Sequence, residues 1–100
     1  MGNKAQIYVR VMTITHAEFL RSLVPLNKYY TYMIDPTKTS IFITDGPRHI
    51  AIKLGPENIT RLGALQMPST EVKFTFTAFS PSELDEFWRL FDLSFRRGGG

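Results

Sequence analysis

Residues Glu71–Phe79, EVKFTFTAF, decide the fold: Val72, Phe74, Phe76 and Ala78 alternate with Glu71, Lys73, Thr75 and Thr77. A period of two marks a strand with one buried face. Directly after it, Ser80-Pro81-Ser82-Glu83 combines a serine N-cap, a proline at the first helical position and a glutamate placed to close a capping box. A helix over about 81–97 follows. Leu84, Phe87, Trp88, Phe91 and Phe95 recur at helical spacing on one side, while Asp85, Glu86, Arg89, Asp92 and Arg96 form the wet side. An aromatic strand face followed by an aromatic helix stripe predicts that the helix lies across the strand.

Working outward, residues 5–14, AQIYVRVMTI, alternate Ile7, Val9 and Val11 against Tyr8, Arg10 and Met12, a second strand pattern. Thr15-His16-Ala17-Glu18 is a further capping box and opens a short helix over about 16–24, with Phe19, Leu20, Leu23 and Val24 as its buried stripe. Pro25 should end it by forcing Val24 out of the helical region. Residues 29–34 and 39–45 read as strands joined through Asp35-Pro36-Thr37-Lys38, and Asp45-Gly46-Pro47-Arg48 signals a hairpin into a strand where Ile50, Ile52 and Leu54 alternate with His49, Ala51 and Lys53. In 57–66, Ile59, Leu62 and Leu65 recur every third residue, and Pro68 closes the run, which predicts a helix interrupted by Gly63.

The order β-α-β-β-β-α-β-α predicts an α+β fold: a mostly antiparallel five-stranded sheet with the helices packed on one face. Residues 1–97 are expected to form one domain, and 98–100 a glycine tail. The final helix is expected to cross Ile7, Val9, Val11, Ile50, Ile52, Phe74 and Phe76.

Composition supports a folded chain. Among 100 residues, Leu, Ile, Val and Phe number 29 and the formal charge is only +3, unlike the composition of intrinsic disorder. The absence of cysteine rules out disulfides, thiolate nucleophiles and thiolate metal sites. No apolar run is long enough for a membrane helix and no secretory pattern opens the chain, so a cytoplasmic location with no membrane partner is expected. Gln6 stands where a myristoylation motif needs Ser or Thr, and the sequon Asn58-Ile59-Thr60 has no role in the cytoplasm.

Catalytic motifs are missing. Neither a phosphate-cradling glycine loop nor a G-x-S-x-G elbow occurs, and Ser80 is occupied as a cap. His16 and His49 are the only histidines, so a three-histidine zinc site is impossible. Glu18 is committed to the cap beside His16, while Asp85 and Glu86 diverge by about 100° on a helix and do not form a catalytic pair. The sequence therefore reads as non-enzymatic, with no cofactor and no metal. Arg96-Arg97-Gly98-Gly99-Gly100 resembles the tails of ubiquitin-like modifiers and sulfur carriers, a resemblance that implies activation of the terminal glycine as an adenylate. A helix stop explains the same residues, with Gly98 past its end and the arginines against its dipole.

Charge is uneven. Residues 1–55 carry seven Lys/Arg against three Asp/Glu, and residues 56–100 carry five against six. If helices cover one face of the sheet, alternation predicts that the other shows Tyr8, Arg10, Met12, Phe42, His49, Lys53 and Lys73. The candidate binding set is Tyr8, Arg10, Phe42, His49, Lys53 and Lys73. Such a face suits a protein partner or a second copy, giving a homodimer. The alternative is single-stranded nucleic acid, with cations on phosphates and rings on bases, although the RNA-recognition signature is absent. A third reading places a ligand against Tyr29, Tyr30 and Tyr32 beneath Pro25 and Leu26.

Overall fold

A computed structural model describes residues 5–98. The chain runs β1 (Gln6–Met12), α1 (His16–Leu23), a 3₁₀ segment (Val24–Lys28), β2 (Thr31–Ile34), β3 (Ser40–Asp45), β4 (Arg48–Leu62), β5 (Leu65–Thr77) and α2 (Pro81–Gly98). The five strands form one antiparallel sheet, as the patterning predicted, and the structure sets their order as β1-β5-β4-β3-β2. Gly99 and Gly100, on which the tail reading depends, lie outside the described residues.

Both capping boxes are formed. The Glu18 amide donates to Thr15 Oγ1 at 3.1 Å and the Thr15 amide to Glu18 Oε1 at 2.9 Å. At α2, the Glu83 amide donates to Ser80 Oγ at 3.2 Å and the Ser80 amide to Glu83 Oε1 at 2.8 Å. Pro25 acts differently from expectation: Val24 keeps helical angles (φ −52°, ψ −45°) and its amide bonds Arg21, so the chain tightens into the 3₁₀ segment that carries Pro25 near its start.

The helices cover one face. Phe19 and Leu23 of α1, Phe87 and Phe91 of α2, Ile41 and Ile43 of β3, Ile50 and Ile52 of β4, and Val72, Phe74 and Phe76 of β5 are all buried in a single cluster. Phe74 meets Phe91 edge-on at 5.3 Å between ring centroids and Phe76 meets Phe87 at 5.2 Å, the offset geometry that aromatic rings prefer.

Two further expectations fail. Residues 57–66 are not a helix: β4 and β5 run past the sheet as a two-stranded arm, paired from Glu57↔Thr70 to Leu62↔Leu65. A register shift between Leu54 and Glu57 adds one residue to β4 and reverses its alternation. Pairing and alternation therefore place Ile59 on the helix side of the arm and Leu62 and Leu65 on the other. Their every-third spacing is thus the product of a bulge and a turn. Gly63, with φ +62°, makes that turn.

The second failure is in β1, whose faces are the reverse of those expected. Tyr8, Arg10 and Met12 lie opposite Phe74, Val72 and Thr70 of β5 and so share the helix side, while Ile7, Val9 and Val11 are exposed. The reason is Trp88 of α2. The Arg10 guanidinium sits 4.0 Å from the centroid of that ring, its Nη1 donates to Asp92 Oδ1 at 3.0 Å, and Tyr8 packs edge-on to Trp88 at 5.8 Å. At the edge of the layer, long amphipathic side chains bury their stems and keep their polar ends wet.

Candidate interaction surface

Directly opposite residues of antiparallel strands point to the same face, so register alone draws the uncovered side of the sheet. Ile7, Thr75, Ala51, Phe42 and Met33 form a row across all five strands, roughly 19 Å long at the usual strand spacing. The row carries no charge. A second row runs Val9, Lys73, Lys53 and Ser40, and Val11 lies beside Glu71. Exposure is 57% at Ile7, 54% at Val9, 71% at Val11, 73% at Met33 and 49% at Phe42, so large apolar side chains face water at both edges of the sheet.

Four of the six sequence-predicted site residues share this face: Phe42, His49, Lys53 and Lys73. Tyr8 and Arg10 do not: they lie on the helix side, packed beside Trp88 at the edge of the layer and still partly exposed. Lys53 and Lys73 stand directly opposite one another, and neither forms an ion pair with a described residue. Like charges in that relation repel, so the pair favours a neighbouring carboxylate. Ile7, Val9 and Val11, expected from sequence in the core, and Met33 supply most of the exposed apolar surface. Along β5 the same alternation carries Leu65 and Met67 to this side, with Leu62 opposite Leu65, so the apolar surface continues onto the arm.

His16 is not an acid–base partner of Glu18. Its Nε2 lies 2.6 Å from the Gly55 carbonyl, which can only accept, so Nε2 carries the proton. Its backbone amide donates to Glu57 Oε2 at 2.7 Å. The N-terminus of α1 therefore braces the bulge from which the arm leaves the sheet. The hydroxyl of Thr70 adds a bond of 2.7 Å to the Ile14 carbonyl.

Two of the three tyrosines proposed for a pocket line a surface cleft with Asp45, Arg48, Ser82, Glu83, Glu86 and Leu90. They are Tyr29 and Tyr30, and Tyr32 is not among the lining residues. Arg48 is paired with both Asp45 and Glu83, so its charge is already answered within the protein. Burial pushes the Tyr30 and Tyr32 hydroxyls above their ordinary value of 10.0. Among the described residues no three His, Asp or Glu side chains gather as a metal site, and no helix is long and apolar enough to cross a membrane.

Fold and surface together define a small α+β domain with one helix-covered and one uncovered sheet face. Comparison with protein-family models, curated proteins and solved structures gives no match.

Proposed function

We propose that this chain is an interaction domain whose uncovered sheet face docks a protein surface, either a second copy or a partner with apolar side chains and an acidic group. The observation that carries this reading is the set Ile7, Val9, Val11, Met33 and Phe42, exposed together on one face. Large apolar side chains exposed together on one sheet face mark interaction sites in folded proteins. The unpaired Lys53 and Lys73 give the partner's acidic group its place. A non-enzymatic role in the cytoplasm belongs to the same reading.

Single-stranded nucleic acid is less well served. Arg10 and Tyr8 stand on the helix side of the sheet against Trp88, so of the cations and rings in the candidate set only Lys53, Lys73, Phe42 and His49 share the uncovered face. So few cations release few counterions, whereas binding grooves typically make six or more phosphate contacts.

Sedimentation equilibrium over a wide concentration range, with Phe42→Asp as the comparison, tests the docking face. Phe42 is half exposed and outside the core, so the substitution leaves the fold intact. The wild type is expected to self-associate, or to retain a discrete partner from lysate, and Phe42→Asp to lose that mass or that partner. Identical behaviour of the two proteins in both assays overturns the reading. Tight retention of mixed single-stranded oligonucleotides, lost between 50 and 200 mM salt, would replace it with the nucleic-acid alternative.

A further inference from the structure

β1 is the outermost strand on its side, paired only with β5 among the described residues. Its free edge presents unpaired amides and carbonyls, a template for another strand that most folds blunt with short strands, proline, lysine or bulges. The opposite edge is blunted: β2 has four residues and runs into Asp35-Pro36. β1 has seven residues, no proline, glycine or lysine, and unbroken register with β5. Its single charge, Arg10, is folded over Trp88 and bonded to Asp92, clear of the exposed apolar row.

The order of side chains in β1 is matched to its own reverse about Val9. We propose that β1 pairs antiparallel with β1 of a second copy across a two-fold axis at Val9, making one continuous ten-stranded sheet. A two-fold axis perpendicular to the sheet preserves its faces, so Val9 meets Val9, Ile7 meets Val11, Tyr8 meets Arg10 and Gln6 meets Met12. On the uncovered side the two strands supply six β-branched residues in three cross-strand pairs, the kind that stabilises sheets. On the helix side Tyr8 of each copy stands opposite Arg10 of the other, whose guanidinium is already answered by Trp88 and Asp92, so no like charges meet.

No neighbouring register does as well. An axis at Arg10 sets two guanidinium groups directly opposite, and an axis at Tyr8 leaves Val11 and Met12 outside the strand pair. Self-complementarity therefore selects a second copy as the occupant and fixes where it sits. This inference rests on the assembly reading only in that two uncovered faces would lie side by side as one surface. The edge and the face are tested by different residues.

The chain has no cysteine, so single cysteines report the geometry without background. Opposite Cα atoms in an antiparallel pair are about 4.5–5.5 Å apart, within reach of a disulfide. Val9→Cys is expected to form a disulfide-linked dimer under mild oxidation. Ile7→Cys alone and Val11→Cys alone are expected to remain unlinked, because identical positions then lie about 13 Å apart along the strand. Mixing Ile7→Cys with Val11→Cys is expected to yield the linked heterodimer. Linkage of Val9→Cys no faster than that of Thr44→Cys, an exposed site on β3, overturns the proposal, as does equal linkage of Ile7→Cys alone. If the cysteines fail while Phe42→Asp still abolishes association, only the edge pairing is wrong. If they link while Phe42→Asp changes nothing, only the docking face is wrong.

Discussion

Arg10 shows how one side chain's surroundings redirect a functional reading. As a cation on an open face it would hold an anionic partner, but over Trp88 and beside Asp92 it helps fasten β1 to α2. Partly exposed cation–π contacts contribute about 0.5–2 kcal/mol, and exposed ion pairs about 0–1 kcal/mol. Arg10→Ala is therefore expected to lower stability by about 1–2 kcal/mol in urea titration, and Asp92→Asn by less than half as much. Arg10→Ala is also expected to leave Phe42-dependent association intact. Loss of association in Arg10→Ala with stability unchanged would return Arg10 to the interface. Neither Trp88 nor Asp92 is near Arg10 in sequence, which is why alternation alone placed it wrongly.

Among the elements, the β4–β5 arm is the one built with least support. Isolated two-stranded ribbons are marginal in water, and beyond Thr70 this one has no third strand among the described residues. Its turn follows the same plan as the β3–β4 hairpin. Gly63 and Gly46 each take φ +62° as the first of two loop residues, followed by Ala64 and Pro47. The signature at Gly46 was legible because clear strands flank it, whereas at Gly63 the spacing of Ile59, Leu62 and Leu65 imitated a helix. A Cβ on Gly63 meets nothing within 4 Å, so the cost of Gly63→Ala is conformational, about 1 kcal/mol. That cost should fall on the arm alone. Amides of 57–62, 65–67 and 69 are expected to exchange about fivefold faster in the variant, with those of 50–54 unchanged. Uniform acceleration across β4 would show that arm and sheet open as one unit.

For the molecule as a whole, pH dependence should be set by carboxylates that cap and turn the chain. Hydrogen bonds hold four of them below their ordinary values of 3.8 for Asp and 4.5 for Glu: Thr37 on Asp35, Thr15 on Glu18, Ser80 on Glu83 and Arg89 on Glu86. A group with a lowered folded value adds stability that is complete above its unfolded value and disappears as pH falls through the folded one. Burial raises Tyr30 and Tyr32 above 10.0, so their contribution is present below that pH and is lost as pH rises through the raised values. The urea midpoint is expected to be flat near neutrality and to fall on both flanks. Asp35 also accepts from the amides of Thr39 and Ser40. Asp35→Asn should therefore be less stable than wild type at pH 7, and the two curves should converge in acid. Curves that stay parallel below pH 4 would remove Asp35 from this account.

Elements whose signals are local were legible in the sequence. Both capping boxes, the Gly46 hairpin and the alternation of β5 depend on residues within a few positions of one another; the caps and the hairpin formed where the residues specified them, and the alternation held over 71–77, with the strand ending at Thr77, before Ala78. Tertiary structure decided which face of β1 is covered, because both of its faces carry apolar groups and only the position of Trp88 distinguishes them. It also decided that 57–66 extends rather than coils, since the bulge at Leu54–Glu57 is set by pairing with β5 and is braced by His16, about forty positions away. Period and capping are properties of a segment. The choice of buried face belongs to the whole core, where burial against another element outweighs local preference.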